Sequence, residues 1–328
     1  MQFSIYKNLR YSLIFAFIFL VGCESAPVKT GIWKDKEIPA EKAEKLRQLN
    51  TDLSKAIKTD RSDAELLLSK QYLTEKNLKV QFDYINKLRS GDEYYLLKDY
   101  YIVNQGTNEA DFKVVDNPEV KYTPLAKEMY IACFIPKNNP DKTMLTIVYG
   151  KYDIGWKANH IALGYYTQMG QTSTQLFEAA KADYAKGYLV NAINNIILAQ
   201  NCMSGSAYLK AANGEDIKSF AKSIVDEANA KFNYPMMISG VNTQPAIFSI
   251  SSNVKGGELT QYVYYLTKLK ITDSAAVRQE NDQVKKHLSE VFPGIDEGKK
   301  TMYYSAMNQK PIVGERVDHL DFEEKINN

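Results

Sequence analysis

The chain has 328 residues, with 41 lysines and arginines against 39 aspartates and glutamates, which gives a formal net charge of +2. Lys7 and Arg10 are the charged residues of the first 22, so the remainder carries 39 residues of each sign and is neutral. A neutral balance argues against nucleic acid as a partner, because binding to phosphates needs a basic surface. The length predicts two domains or three small ones.

The first 22 residues have the composition of an export signal. A positively charged start is followed by a short apolar run, which is shorter than the roughly 20 residues that a membrane-spanning helix needs. The run ends in a motif that resembles the lipobox of bacterial lipoproteins, Leu20-Val21-Gly22-Cys23. The alternative is an ordinary secretory signal that happens to end at a cysteine.

The lipobox resemblance implies that the Cys23 thiol carries a diacylglyceryl group and that residues 1–22 are removed. Two or three acyl chains, at about 0.8 kcal/mol per buried methylene, would hold the protein on a membrane permanently. The next residue is Glu24 rather than aspartate, which by analogy with that family favours the outer membrane over the inner one. We therefore expect a lipid-anchored protein of the cell envelope, with the membrane as a partner through Cys23.

Residues 23–40 are predicted to be a tether, because Pro27, Gly31 and Pro39 alternate with charged residues. Trp33 is unusual there, and we expect it to dock on the folded body rather than sit at the lipid interface. No second apolar segment reaches membrane-spanning length, which predicts a globular body behind the tether.

Residues 41–168 are predicted to form an α+β domain. Apolar residues at helical spacing predict a helix from Glu41 onwards, followed by helices over Asp63–Leu73 and Leu78–Leu88. Aromatic and apolar runs then predict an antiparallel meander. Its strands are Tyr94–Val103 (or a last helical segment), Met129–Ile135, Met144–Tyr149 and Trp156–Tyr166.

This order of elements, with Gly155-Trp156-Lys157 entering a late strand, resembles the ketosteroid-isomerase-like cone fold over roughly residues 60–166. The resemblance implies a small-molecule site in the mouth of the cone. Catalytic members of that family use a carboxylate base there, and no carboxylate of this sequence can be matched to it.

Residues 169–232 are predicted to form a helical hairpin. Thr172-Ser-Thr-Gln175 has the form of a capping box, and Gly187 separates two helices that run to Lys186 and from Tyr188 to about Met203. A further helix is predicted over Glu215–Lys231. The small residues at the contact positions of the hairpin resemble those of one tetratricopeptide repeat: Ala180, Gly187, Ala192 and Ala199. Because one repeat cannot bury its own face, an ordinary hairpin is the alternative.

Residues 233–328 are predicted to form a small α/β region in the order ββαββ. The predicted elements are strands over Ile247–Ser251 and Tyr262–Ile271, a helix over Asp273–Val291, and strands over Thr301–Met307 and Val317–Phe322.

Candidate catalytic residues are few. His160, His287 and His319 lack a second ligand at metal-binding spacing. His319, flanked by Asp318 and Asp321, shares a strand face with Asp321, which predicts either a metal or acid/base pair or a solvated strand. Ser204-Gly205-Ser206 follows a helix and lacks the glycines of a nucleophile elbow, so it is predicted to end that helix. The sequence therefore predicts no catalytic residue, no metal and no cofactor.

Two further residue types leave alternatives open. Cys133 and Cys202 are predicted either to pair in one disulfide or to be two buried thiols. The chain has 23 tyrosines, which would either expose an aromatic binding surface or satisfy β-propensity. Five adjacent pairs occur: Tyr94-Tyr95, Tyr100-Tyr101, Tyr165-Tyr166, Tyr264-Tyr265 and Tyr303-Tyr304.

Taken together, these patterns predict a non-enzymatic, lipid-anchored envelope protein that acts as a binding or assembly module with a protein partner. The alternative is a small-molecule-binding or hydrolytic domain with a cone-like pocket. A third hypothesis is a purely structural lipoprotein.

Overall fold

The computed structural model describes residues 29–59, 61–74, 78–107, 113–115, 120–203, 209–211, 213–312 and 314–326. The predicted signal, Cys23 and the Ser204-Gly205-Ser206 turn lie outside these residues. Among the described residues, no helix combines the length and apolar character needed to cross a membrane.

Helices and strands occur in separate blocks along the chain, which confirms the α+β class. The described helices are α1 (Ala40–Thr59), α2 (Arg61–Leu66), α3 (Lys70–Leu73), α4 (Leu78–Gly91), α5 (Ser173–Ala185), α6 (Leu189–Asn201), α7 (Gly214–Lys231) and α8 (Ser274–Val291). The first described strands are β1 (Gly31–Lys34), β2 (Tyr94–Val103), β3 (Lys113–Val115), β4 (Val120–Tyr122), β5 (Glu128–Pro136), β6 (Thr143–Tyr152) and β7 (Gly155–Tyr165). The later strands are β8 (Thr167–Gln168), β9 (Gln171–Thr172), β10 (Leu209–Ala211), β11 (Met236–Met237), β12 (Ala246–Lys255), β13 (Glu258–Leu266), β14 (Thr301–Met307) and β15 (His319–Lys325).

The first sheet has the order β1-β2-β5-β6-β7, and all neighbouring strands are antiparallel, as the meander prediction required. Helices α1 and α4 pack on one face, where Leu53 and Ile85 join a core with Tyr130. The opposite face carries a second cluster around Met129 and Ile131. Because successive strand residues point to opposite faces, burial on both faces explains the nearly continuous apolar run of β5.

Residues 31–37 belong to the folded body, which corrects the predicted tether. Gly31–Lys34 forms an edge strand paired with β2, and a 3-10 helix over Asp35–Glu37 follows. Trp33 stacks on Tyr101 with ring centroids 5.5 Å apart, so its predicted docking is confirmed. Only the part of the predicted tether before Gly31 remains a prediction.

The predicted helix over Asp63–Leu73 is divided into α2 and α3. Between them Leu68 forms a bridge with Ala158, whose N–H donates to Leu67 O at 2.8 Å, while Ser69 N donates to Ala158 O at 2.9 Å. The Ser69 hydroxyl then accepts from Tyr72 N at 3.2 Å and caps α3. Hydrogen bonds to a distant strand therefore override the local helical pattern.

The second large sheet has the order β11-β12-β13-β14-β15. Strands β13 and β14 are parallel and are joined through α8, which confirms the predicted ββαββ order. β13 ends at Leu266 rather than Ile271, because the following residues turn into α8, where Asp273 caps the helix by accepting from Ala276 N at 3.1 Å. β15 begins at His319, two residues later than predicted.

The capping box is confirmed, since Thr172 N donates to Gln175 Oε1 at 2.9 Å. Gly187, with φ of +80°, lies between the antiparallel helices α5 and α6. Buried residues from Leu176 to Phe322 form one cluster that includes these helices, α7, α8 and the second sheet. The hairpin thus buries its apolar face against the sheet, and residue 232 does not separate two cores. Its likeness to a tetratricopeptide repeat stays a prediction.

Asn191 of α6 joins the hairpin to the segment after α8. Its Nδ2 donates to Gly294 O at 2.6 Å, and its Oδ1 accepts from Lys299 Nζ at 2.8 Å. Lys299 is 3% exposed, and burial lowers its pKa below the usual value. Gly294 has φ of +71°, and a Cβ added there would lie 2.3 Å from Tyr188 Cγ, so this close approach requires glycine.

Candidate ligand-binding cavity

A cavity of about 960 Å³ opens between α1, α4 and the first sheet. This volume falls within the roughly 300–1,000 Å³ typical of small-molecule sites. The interior is aliphatic because both helices turn their apolar stripe towards the sheet, which supplies matching residues from β6 and β7. The buried aliphatic residues that line it are Leu53, Ile57, Ile85, Leu145, Ile147 and Ile161.

Apart from Phe134, the rest of the lining is polar, and all of its charged groups are cationic. Lys55 and Lys58 come from α1, and Lys87 and Arg89 come from α4. No aspartate, glutamate, histidine or cysteine is among the described residues that line the cavity. The cavity therefore combines an aliphatic interior with a local excess of positive charge on a chain that is otherwise balanced.

Arg89 is the cation most closely held by the protein. Its Nη1 donates to the Ser54 hydroxyl. Partial burial lowers its pKa below the ordinary value for a guanidinium, against the opposing influence of Tyr94. Tyr94 also lines the cavity, and burial, together with the nearby Asp92, raises its pKa to about 12. The Tyr94 phenol is consequently protonated at neutral pH and able to donate a hydrogen bond.

A buried polar network lies behind Asn50, another lining residue. Asn50 Nδ2 donates to Tyr130 OH at 3.0 Å, and Tyr130 OH donates to Asp99 Oδ2 at 3.1 Å. Asp99 also accepts from Arg47 Nε at 2.9 Å and Arg47 Nη2 at 3.3 Å. Burial, and then the Asp99 charge, raise the pKa of Tyr130.

This network fixes the orientation of the Asn50 amide. Because Tyr130 gives its proton to Asp99, the Tyr130 oxygen accepts from the amide nitrogen of Asn50. The Asn50 oxygen is buried and has no hydrogen-bond partner within the described part of the chain. Asp99 does not line the cavity and is held by Arg47, so it does not supply the carboxylate base of the cone-fold enzymes.

The two cysteines are separate buried thiols, so the disulfide alternative is wrong. Cys133 lies in β5 and Cys202 at the end of α6, and burial raises the pKa of each thiol to about 12. Neither thiol is therefore an activated nucleophile at neutral pH.

Two of the three histidines, His160 and His287, make contacts typical of packing and of a surface ion pair. His160 packs edge-on against Tyr72 with ring centroids 5.9 Å apart, and burial lowers its pKa. His287 Nδ1 lies 3.0 Å from Glu290 Oε1 on α8. Within the described ranges, no group of three or more His, Cys, Asp or Glu residues is placed to hold a metal ion.

His319 and Asp321 do come together on β15, as their strand spacing predicts. His319 Nε2 lies 3.4 Å from Asp321 Oδ2, and Asp321 Oδ1 accepts from the Ser305 hydroxyl at 2.6 Å. The carboxylate, rather than the imidazole, therefore contacts the serine, which is the wrong order for a nucleophilic triad. The pair lies on an edge strand with exposed side chains, and a solvated strand fits it best.

The tyrosine pairs follow the alternation of strands where one face of the sheet is open. Tyr265 and Tyr304 are buried, and their neighbours are half-buried on the other face. Tyr100 and Tyr101 are both buried, because they enter the clusters on opposite faces of the first sheet. The buried members of these pairs favour β-propensity and packing as the reason for these tyrosines, whereas Tyr95 and Tyr165 are exposed.

No pattern in the sequence indicates the cationic lining directly. Helical periodicity identified the apolar stripes of α1 and α4, but charged residues on two helices meet around one opening only when those helices cross a sheet side by side. The separation of Ser54 and Arg89 by 35 residues shows how far apart in the chain the contributing groups lie.

No protein-family model, curated protein or solved structure matches this chain. The resemblances to the lipobox, to the cone fold and to the tetratricopeptide repeat therefore stay predictions.

Proposed function

We propose that this protein is a lipid-anchored envelope protein whose N-terminal α+β region binds a small, largely apolar molecule. The observation that carries the proposal is the cavity of about 960 Å³ between α1, α4 and the first sheet. Protein interiors are close-packed, so a space of this size is unusual, and a cavity that combines apolar walls with placed polar groups is typical of a ligand site.

The lining supports binding rather than catalysis. Catalytic acid/base chemistry on a small molecule is carried out most often by a histidine, or by an aspartate or glutamate, within hydrogen-bonding reach. The described lining residues offer amide, hydroxyl, ammonium and guanidinium groups instead. We therefore propose a carrier or sensor that retains its ligand unchanged.

The position of the cavity fits a protein anchored through Cys23. Tyr94 lines the cavity and begins β2, whereas Val103 ends β2 and pairs with Gly31, where the described chain enters the sheet. The 10 residues of β2, at about 3.3 Å each, separate these ends by about 30 Å. An anchor before Gly31 would leave the cavity on the side of the body away from the membrane.

Photolabelling tests the proposal on the full chain in lipid nanodiscs. Two probes of equal chain length are used, a diazirine-bearing long-chain alcohol and the corresponding carboxylic acid. We expect at least one of them to label peptides of α1, α4 and β5–β6 that line the cavity. The background is the labelling of an equal mass of nanodisc lipid by the same probe. If neither probe labels these peptides above that background, the proposal fails.

A filled cavity provides the specificity control. Ser54→Trp places an indole at a half-buried lining position, and we expect it to reduce the labelling at least tenfold. Gln48→Trp is the matched control, because Gln48 is exposed on the same helix and does not line the cavity. Labelling that survives Ser54→Trp unchanged would mean that the probe binds elsewhere.

A protein partner is the second candidate, and exposed apolar side chains on the short helices and α4 support it. Leu66, Val80 and Tyr84 are exposed there, and such surface is characteristic of interaction sites when it is contiguous. Crosslinking in intact envelopes followed by purification of the full chain should yield one stoichiometric partner. A reproducibly empty result would contradict this role.

A further inference from the structure

We infer that the ligand of this cavity is a single-chain anionic amphiphile, with a long-chain fatty acid as its simplest form. The inference rests on the proposed function and specifies the ligand class of the same cavity. It follows from the charge of the lining, the chemistry of the interior and the volume.

The charge argument depends on the absence of acidic partners. Lys55, Lys58 and Lys87 form no ion pair with a carboxylate of the described residues, and the cavity lining in that part of the chain contains none. Four cations around one opening repel one another and attract an anion. Balanced charge over the whole sequence makes this local excess a property of the site.

Arg89 is the residue best placed to receive the anionic group. Arg89 is exposed, so an anion can reach its guanidinium, and the hydrogen bond that it makes within the described residues goes to the neutral Ser54 hydroxyl. The planar guanidinium matches the two oxygens of a carboxylate and can hold them with two parallel hydrogen bonds. The protonated Tyr94 phenol adds a second donor in the same lining.

The interior favours an alkyl chain over an aromatic ring system. The six buried aliphatic residues that line it are leucine or isoleucine, and the aromatic residues of the lining, Tyr94 and Phe134, are only half-buried. Aliphatic walls offer dispersion contacts to methylenes, whereas flat ring systems are typically held between aromatic faces. Burial of each methylene is worth about 0.8 kcal/mol, so chain length should govern affinity.

The volume favours one chain over two. A cavity of about 960 Å³ holds about 30 non-hydrogen atoms at roughly 30 Å³ each, as in liquid water. The roughly 20 non-hydrogen atoms of a long-chain fatty acid fit within this space, and the roughly 50 of a two-chain phospholipid do not.

The test compares the acid and alcohol photoprobes on the full chain in nanodiscs, with the half-saturating concentration of cavity labelling as the readout. We expect the acid to half-saturate at a concentration at least tenfold lower than the alcohol. Arg89→Gln should raise the value for the acid tenfold to a hundredfold, as expected for the loss of a charged hydrogen bond, and change that for the alcohol less than threefold. Arg89→Lys should restore part of the difference.

Lys79→Gln is the matched control, because Lys79 is exposed on α4 and does not line the cavity, so both half-saturating concentrations should stay unchanged.

Unlabelled fatty acids should compete about fourfold better per added methylene until the cavity is full. Equal labelling by acid and alcohol, unaffected by Arg89→Gln, would overturn the inference while leaving the cavity as a binding site. Labelling by neither probe would overturn the proposed function itself. If a two-chain phospholipid competed as strongly as a fatty acid, the single-chain assignment would be wrong.

Discussion

Replacing Arg47 by methionine tests the buried network that ends at Asn50. The Asp99 side chain is 1% exposed and would lose guanidinium donors at 2.9 and 3.3 Å, retaining the Tyr130 hydroxyl at 3.1 Å. Removing one partner of a fully buried ion pair costs about 3–5 kcal/mol. Because the Arg47 side chain is 44% exposed, water screens this pair, and we expect the free energy of unfolding to fall by about 2–3 kcal/mol.

The double variant Arg47→Met/Asp99→Asn separates a buried charge from simple loss of contacts. Asparagine removes the uncompensated charge with little change in shape, so the double variant should be at least about 1 kcal/mol more stable than Arg47→Met. Lys45→Met is the control on the same helix, where the side chain is exposed, and it should change stability by less than about 0.5 kcal/mol.

Urea unfolding followed by tryptophan fluorescence measures the effect where it occurs. The chain has two tryptophans, and both Trp33 and Trp156 pack against the core of the first sheet, so the signal reports unfolding of this region. A double variant less stable than Arg47→Met would refute the reasoning. So would an Arg47→Met variant as stable as the unsubstituted protein.

Three other predictions concern the remaining cores. Gly298→Ala should lower the free energy of unfolding by about 1–2 kcal/mol for its positive φ alone. Gly294→Ala should lower it by at least about 2 kcal/mol more, because its methyl group meets a tyrosine ring. Urea unfolding followed by circular dichroism compares the two variants, and equal losses would contradict the close approach. Burial lowers the pKa of Lys299, so the folded state binds fewer protons than the unfolded state between that pKa and 10.5. Stability should therefore rise with pH across that window, and Lys299→Met should lose this rise in urea midpoints measured from pH 7 to 10. Cys133 and Cys202 should resist iodoacetamide at pH 8 until urea unfolds the protein, as read by mass spectrometry, and modification without denaturant would contradict their burial.

Elements determined by neighbours in the chain could be predicted from the sequence. The capping box of Thr172 and Gln175, the turn at Gly187 and the amphipathic helices α1, α4 and α8 depend on residues a few positions apart. The longer strands of both sheets, though not β1 or β11, were also predictable, because alternation and β-propensity are local properties. The α+β class and the ββαββ order follow from those elements alone.

Features that depend on distant residues required the tertiary structure. β1 lies in a segment with the composition of a tether, and it is a strand because β2 offers it a free edge. The helix predicted over Asp63–Leu73 is broken by Leu68 pairing with Ala158, far along the chain.

The cavity depends on tertiary structure for the same reason. Its aliphatic residues have the helical and strand periodicities of ordinary core residues, so the sequence determined that they would be buried. Whether helices and sheet close completely or leave a space is decided by how α1 and α4 lie against the four strands that line it, β2, β5, β6 and β7. The positive charges collected around that space come from helix positions that, taken one at a time, have the pattern of solvated faces.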